Sequence, residues 1–184
     1  FGSKFENDME KLEQGKISNE EIAGNFRDYN TKSINRDGWN PLIFASVYNK
    51  RKKLNLTEEE FTDLIHNSDL KIATKKGWTP LMNALIYNKE EGLNLTQEQF
   101  TYLIENSDLK VANQEGWSPL MFALIYNKEE GLNLTQEQFT YFIQNSDLSV
   151  TNQEGWSPLM FAFRHNKEEG LNLTQEQFTY FIQN

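Results

Sequence analysis

The chain has 184 residues, of which 38% are hydrophobic, and its formal net charge at pH 7 is −9. This acidic balance argues against a partner recognised through a phosphate backbone, so we expect no nucleic acid to bind. The absence of cysteine excludes disulfides and cysteine-based zinc sites and favours a cytoplasmic location, and no apolar run is long enough to cross a membrane.

One motif organises the chain. The sequence Gly-Trp-(Asn/Thr/Ser)-Pro-Leu begins at Gly38, Gly77, Gly116 and Gly155, with a spacing of 39 residues each time. A fixed period of this size is typical of arrays in which no unit buries its apolar face alone. We therefore predict an all-α solenoid of stacked helix–loop–helix repeats. Its parts are a degenerate N-terminal capping repeat (1–37), repeat 1 (38–76), repeat 2 (77–115), repeat 3 (116–154) and an incomplete repeat 4 (155–184).

The first 37 residues lack the motif but keep its period. Phe5, Met9 and Leu12 form one apolar stripe at helical spacing on an otherwise polar segment. Residues 18–21 then have the Ser-x-x-Glu spacing of a helix capping box, 39 residues before the matching box that starts at Thr57. A unit with one polar face is what the end of a solenoid requires.

The first helix of a full repeat is clearest in repeat 2. Thr79 is a suitable N-cap, and Pro80 suits the first helical position because its missing N–H costs nothing there. The helix is predicted to run from Pro80 to about Glu91 and to be buried between neighbours, since it is apolar around much of its circumference. Gly92 is the preferred left-handed residue at its end, with Asn88 as the alternative.

The second helix of the repeat follows a short loop. Residues 96–99 have the spacing of a capping box, and Leu95 and Phe100 have that of a hydrophobic staple around it. The Asn-Ser-Asp sequence at 106–108 competes for backbone hydrogen bonds and is expected to end the helix. The Lys-Glu-Glu-Gly runs between the helices are interpreted as solvated helix ends that add solubility rather than acid–base groups.

Repeat 4 is predicted to continue in the natural protein. Residues 175–184 are identical to residues 136–145, and no polar substitution closes this end of the array. We expect further repeats or another domain to follow.

The segment Gly77-Trp78-Thr79-Pro80-Leu81-Met82-Asn83-Ala84-Leu85 resembles the ankyrin repeat, whose signature is Gly-x-Thr-Pro-Leu-His-x-Ala-Ala. Asn106-Ser107-Asp108-Leu109 is similar to that family's Gly-Ala-Asp-Val segment. Three departures concern the geometry between the helices: the repeat is 39 residues long against about 33 in the family, Met82 replaces the histidine of the turn, and Asn88 replaces the family's glycine after the first helix. The resemblance implies stacked helix pairs with a concave binding surface.

In such arrays the variable surface positions follow the turn glycine and lie near the end of the first helix. The resemblance therefore implies partner-binding residues at Trp39, Trp78, Trp117, Trp156, Val47, Tyr48, Ile86, Tyr87, Ile125, Tyr126, Arg164 and His165. The tryptophans are the same in every copy, so a purely structural role stays open for them. The helix-end pairs vary, and Arg164-His165 is the most informative change. The basic residues of repeat 1 and its connector (Arg51, Lys52, Lys53, Lys71, Lys75 and Lys76) either orient a partner or form a solvated surface.

No catalytic motif is present. The two histidines, His66 and His165, have no neighbouring residues at metal-ligand or triad spacing, and His66 is expected to lie on an exposed helix surface. We predict a non-enzymatic protein–protein interaction scaffold, without cofactor or metal, that binds a protein or peptide on its concave surface. The alternative is a repeat arm, a spacer or targeting module of a larger multidomain protein such as a secreted bacterial effector or toxin. Such a protein would be delivered into a host cell and carry its activity elsewhere.

Overall fold

The computed structural model describes residues 2–184, and over this range all regular secondary structure is helical. The α-helices are α1 (Lys4–Glu13), α2 (Asn19–Asn25), α3 (Pro41–Tyr48), α4 (Glu58–Asn67), α5 (Pro80–Tyr87), α6 (Gln97–Asn106), α7 (Pro119–Tyr126), α8 (Gln136–Asn145), α9 (Pro158–His165) and α10 (Gln175–Gln183), and a 3-10 turn at Phe26–Asp28 follows α2. The helices α3, α5, α7 and α9 contact one another in succession and form an inner layer, and α4, α6, α8 and α10 form an outer layer. The predicted all-α solenoid is therefore confirmed.

Stacking is what buries the apolar surface of each repeat. Met121 on α7 and Ile143 on α8 are at most 1% exposed, because the next repeat covers them. Met160 and Ile182, which occupy the same positions in the last repeat, are 50% and 67% exposed. Each unit thus contributes half of an interface that only its neighbour completes.

The inner helices begin where the sequence predicts but end earlier. The Thr79 hydroxyl accepts a hydrogen bond from the Met82 N–H (3.3 Å), and Pro80 is the first helical residue. The prediction that α5 runs to Glu91 and stops at Gly92 is wrong, since α5 ends at Tyr87 with Asn88 as its C-cap. The Asn88 side chain accepts from the Leu95 N–H (2.8 Å) and so turns the chain away from the helix axis. Gly92 does have a left-handed φ of 66°, but it closes the turn after the helix.

The outer helices follow the local sequence signals closely. In α6 the Thr96 N–H donates to Gln99 Oε1 (2.8 Å) and the Gln99 N–H donates back to Thr96 Oγ1 (3.1 Å), which confirms the capping box. The helix ends at Asn106, with Ser107 as its C-cap, as predicted. Gln99 has a second role that the sequence does not reveal: its Nε2 donates to the Glu58 carbonyl and to Thr62 Oγ1 of α4 (3.0 and 2.9 Å).

The capping repeat is attached to repeat 1 by a small core and a few polar contacts. Phe5 is fully buried, and the capping box at residues 18–21 is present. The buried Asp8 carboxylate accepts hydrogen bonds from the Tyr29 hydroxyl (2.6 Å) and from Asn25 Nδ2 (3.0 Å). The Tyr29 pKa is raised because burial disfavours the phenolate and because the phenol donates to Asp8.

The Lys-Glu-Glu-Gly runs are not the solvated segments expected from the sequence. Glu130 is 7% exposed, and its carboxylate accepts hydrogen bonds from the backbone N–H groups of Lys89 (2.7 Å) and Glu90 (3.0 Å) of the preceding repeat. Asn88 Nδ2 donates to the Glu130 carbonyl (3.0 Å) beside it. The same contacts join Asn49 to Glu91, and Asn127 to Glu169. The second glutamate of each run thus links neighbouring repeats, and only the first is solvated.

The turns before the inner helices also stack closely. The Gln114 N–H of repeat 2 donates to the Lys76 carbonyl of repeat 1 (2.9 Å). Gly77 has a φ of 83°, and a Cβ added there would lie 2.9 Å from the Cα of Asn113. Glycine is required at this position both for its φ and for the approach of the next turn.

The longest helices in the described part of the chain have 10 residues. This is about half the length that a bilayer crossing requires, and none of them qualifies as a membrane span.

We predict that Gly77→Ala lowers the free energy of unfolding by at least about 2 kcal/mol, because it combines an unfavourable φ with a backbone clash. Gly155→Ala is the matched control. Gly155 has the same φ of 82° but no atom within 4 Å of an added Cβ, so its cost should be only about 1 kcal/mol. Urea unfolding followed by circular dichroism measures both, and equal losses would contradict the close approach of the turns.

Glu130→Ala should destabilise the array by about 2 kcal/mol, because it leaves two backbone N–H groups of the preceding turn without their acceptor. Glu129→Ala, which removes an exposed carboxylate one residue earlier, should change stability by less than about 0.5 kcal/mol. The measurement is the urea midpoint of each variant. A loss for Glu129→Ala as large as that for Glu130→Ala would show that overall charge, rather than this contact, is responsible.

Candidate functional site

The predicted partner-binding residues come from two elements of each repeat. The tryptophan follows the turn glycine, and the helix-end pair occupies the last two positions of the inner helix. Ring contacts bring the two elements together: Trp39 stacks on Tyr48 with centroids 6.1 Å apart, and Phe122 lies between Trp117 (5.1 Å) and Tyr126 (6.4 Å). We call the surface formed by the four tryptophans and the four helix-end pairs the inner face. The prediction of a surface position is wrong for Val47, which is buried (7% exposed) and only lines a cleft.

The tryptophans of the inner face bridge neighbouring repeats. All four are half-buried. Phe122 lies 5.1 Å from both Trp78 and Trp117, and Phe161 lies 5.0 Å from Trp117 and 5.1 Å from Trp156. A phenylalanine ring thus packs between successive tryptophans. The structural role that the sequence left open for the tryptophans is visible in these contacts, while each indole keeps part of its surface exposed.

The space between Trp39 and Trp78 is different. Asn83 stands there in place of the phenylalanine found at positions 44, 122 and 161. Its side chain is short and turned back, with Nδ2 donating to the Thr79 carbonyl (2.9 Å). The result is a cleft of about 480 Å³, which we call the Trp39–Trp78 cleft; its lining includes Trp39, Val47, Trp78, Asn83, Ile86 and Tyr87.

The charged residues at the border of this cleft come from two successive turns. Lys75 Nζ lies 3.8 Å from Asp37 Oδ1, an exposed pair, and the neighbouring Lys76 forms no ion pair with any residue of 2–184. The corresponding residues of the next turn are Gln114 and Glu115. The cleft border is therefore locally positive on a chain that is negative as a whole.

Two other basic residues of repeat 1 pack against the inner face. The Arg51 guanidinium lies 4.8 Å from the ring centroid of Tyr48 and 5.9 Å from that of Tyr87, and it pairs with Glu91 (3.1 Å). Lys52 Nζ lies 4.7 Å from the Tyr48 ring, and burial lowers the Lys52 pKa. These side chains cover the helix end rather than extending freely into solvent.

Two tyrosines of the inner face, Tyr87 and Tyr126, have a raised pKa. Burial raises the pKa of Tyr87, against the opposing charge of Arg51. Burial also raises the pKa of Tyr126, with further contributions from the carboxylates of Glu129, Glu130 and Glu90. At neutral pH both side chains therefore present an apolar ring with a polar hydroxyl.

The helix-end pair of repeat 4 has a different character. Arg164 is exposed, and Phe163 beside it is 62% exposed. His165 is half-buried and stacks on Phe161 with centroids 6.1 Å apart. Its Nδ1 is buried without a hydrogen-bond partner among the described residues, and the Glu168 carboxylate lies 3.9 Å away. The predicted change of chemistry at this end of the inner face is thus a change from a tyrosine to an imidazole and from an isoleucine to a guanidinium.

His66 lies away from this surface. It is exposed on the outer helix α4, as expected, and stacks on Tyr102 of α6 with centroids 4.1 Å apart. Within residues 2–184, no group of three acidic or histidine side chains is arranged to hold a metal ion.

No protein-family model and no curated protein matches the chain. The likeness to ankyrin repeats thus stays a prediction from the residues that suggested it.

Asn83 is the residue of this surface that sequence reasoning missed. The signal was available, because comparison of the four copies shows one asparagine in a column of phenylalanines. A second cleft, of about 350 Å³, adjoins the first and shares Asp37 and Trp39 with it. It lies against the capping helix α1, whose Glu6, Glu10 and Glu13 contribute to its wall.

We predict a loss of stability at alkaline pH that depends on Tyr126. The folded-state pKa of this phenol is raised, so its stabilising contribution is complete below about pH 10 and is lost as the pH rises through the folded-state value. Tyr126→Phe cannot ionise and should therefore lose less stability between neutral and alkaline pH than the unmodified chain does. Urea midpoints across this range measure the effect; identical pH profiles would contradict it.

Proposed function

We propose that this chain is a non-enzymatic scaffold of ankyrin type, which binds an extended segment of a protein partner along its inner face. The observation that carries this proposal is the row of half-exposed aromatic side chains that runs across successive repeats and opens into the Trp39–Trp78 cleft. Tryptophan and tyrosine dominate binding hot spots because they bury a large area and offer a polar group at the edge.

The composition of the face favours binding over catalysis. Aromatic and aliphatic side chains hold a partner by burial and shape, but they supply no nucleophile or proton donor near neutral pH. A rigid array also limits the entropy lost on association, because helix-borne side chains are already positioned by the stacking of the repeats. Since the chain has no cysteine, we place this binding activity in a reducing compartment, the cytoplasm.

Two features support the ankyrin assignment within this proposal. Each repeat has the Ser/Thr-Pro-Leu start, or its Asn40 variant, at the N-terminus of an inner helix. The turns that precede these helices hydrogen-bond to one another along the array, as Lys75 N–H does to the Asp37 carbonyl (3.0 Å). The six additional residues of the period fall between the inner and outer helices, where Asn88 shapes the longer turn.

A random peptide library displayed on phage tests the function without a known partner. Peptides enriched on the unmodified protein should bind at least about tenfold more weakly to the double variant Tyr87→Ala/Tyr126→Ala, because two anchor rings of the inner face are lost. The readout is the dissociation constant of the enriched peptides, with circular dichroism to verify that helicity is retained.

The matched control is Tyr102→Ala/Tyr141→Ala, which removes two half-buried tyrosines from the outer helices α6 and α8. This variant should bind the enriched peptides as the unmodified protein does. Enrichment of peptides that are insensitive to the inner-face variant but sensitive to the outer one would place the binding surface on the wrong layer and overturn the proposal.

A further inference from the structure

The array itself shows what fits between two successive tryptophans. Between Trp78 and Trp117 the occupant is the Phe122 ring, with both centroid distances at 5.1 Å. Between Trp117 and Trp156 it is the Phe161 ring, at 5.0 and 5.1 Å. Both of these tryptophan pairs therefore hold one aromatic ring, and the sequence period that separates them also separates Trp39 from Trp78.

The chain supplies no such ring between Trp39 and Trp78. Asn83 occupies the position of Phe122, and its side chain is hydrogen-bonded to its own helix rather than directed between the indoles. Apolar side chains nevertheless line the cleft: Val47 and Ile86 accompany the two tryptophans and Tyr87. The site is therefore an apolar, aromatic-walled cleft at the position where its counterparts hold a phenylalanine ring.

The charged residues at the border of the cleft favour an acidic occupant. Lys75 and Lys76 come from the turn between the two tryptophans, and the corresponding pairs in later turns are Gln114-Glu115 and Gln153-Glu154. Asp37 is the acidic residue of the border, and its carboxylate pairs with Lys75 (3.8 Å). The Lys76 ammonium forms no ion pair within residues 2–184 and can pair with a carboxylate of a bound partner. A carboxylate next to the inserted ring would meet this ammonium at the edge of an apolar site, where such pairing strengthens.

We infer, on the basis of the scaffold function proposed above, that the Trp39–Trp78 cleft binds one aromatic side chain of a partner polypeptide, flanked in sequence by an acidic residue. The inserted ring takes the place that phenylalanine holds in the later repeats, and its acidic neighbour pairs with Lys76. The partner's chemistry is thus an aromatic–acidic segment rather than a basic or purely aliphatic one.

The four indole N–H groups allow a direct test, because each tryptophan gives its own resonance in a proton–nitrogen NMR spectrum. The probe is the acetylated and amidated peptide Gly-Glu-Phe-Glu-Gly. On titration into the full chain it should shift the resonances of Trp39 and Trp78 and leave that of Trp156 in place. The same peptide with alanine for phenylalanine should bind at least about tenfold more weakly, since the ring supplies most of the buried area.

Asn83→Phe is the sharpest variant, because it fills the cleft with the ring that the other repeats carry. It should raise the thermal unfolding midpoint and weaken the binding of the phenylalanine peptide by at least about tenfold. Lys76→Glu tests the charge without touching the core. It should weaken binding of the acidic peptide several-fold while leaving the binding of Gly-Gln-Phe-Gln-Gly unchanged.

Three results would overturn this inference: peptide binding that survives Asn83→Phe, shifts centred on Trp117 or Trp156, or equal affinity for the acidic and the glutamine-flanked peptides. Concentration-dependent shifts without any peptide would show that a second copy of the chain fills the cleft, and would overturn it too. Its failure is distinguishable from failure of the scaffold function. If only the inference about the cleft is wrong, peptides from the unbiased library would still bind the chain, and their binding would still depend on Tyr87 and Tyr126.

Discussion

Each repeat leaves polar backbone groups that only its neighbour satisfies. The inner helix ends at an asparagine such as Asn88, and the turn after it presents two N–H groups with no acceptor in its own repeat. The Glu130 carboxylate of the next repeat accepts both, and Asn88 in turn donates to the Glu130 carbonyl. Hydrogen bonds to a charged acceptor contribute about 1.5–3 kcal/mol each, so the contact favours one spacing and one orientation of neighbouring repeats.

Because neighbouring repeats are stacked in the same way, a residue that differs between copies changes the surface at one known position of the array. The turns are also in close contact at Gly38, Gly77 and Gly116, and backbone hydrogen bonds join each turn to the next. One phenylalanine ring fills each gap between Trp78 and Trp156. In a looser array, an asparagine at position 83 would let the neighbouring side chains collapse inward, whereas in this one it leaves an open cleft.

Local signals in the sequence were sufficient for most of the fold. The N-caps, the prolines at the first helical position and the capping boxes act within four residues, so a single repeat contains all the information that sets the helix starts. The end of the inner helix was predicted wrongly because Gly92 and Asn88 are both plausible stops, and the choice depends on a side-chain bond that Asn88 accepts from the Leu95 N–H seven residues later. The burial of Glu130 was not predicted because its two donors are backbone N–H groups of the preceding repeat, and the sequence of one repeat does not show that contact.

The candidate site was predictable in part, and the part that was missed is the cleft at Asn83. The inner-face positions are predictable from their place in the repeat, and stretches 116–145 and 155–184 differ only at three consecutive positions, Leu124-Ile125-Tyr126 against Phe163-Arg164-His165. Near-identical repeats present near-identical surfaces, which add area more than selectivity. The residues that shape the Trp39–Trp78 cleft, Asn83 and the adjacent lysines, belong to the more divergent first half of the array. Two places along this solenoid therefore depart from the common surface: the cleft at Asn83, where a ring is absent and the local charge is reversed, and the end at Arg164-His165, where a guanidinium and an imidazole replace an isoleucine and a tyrosine.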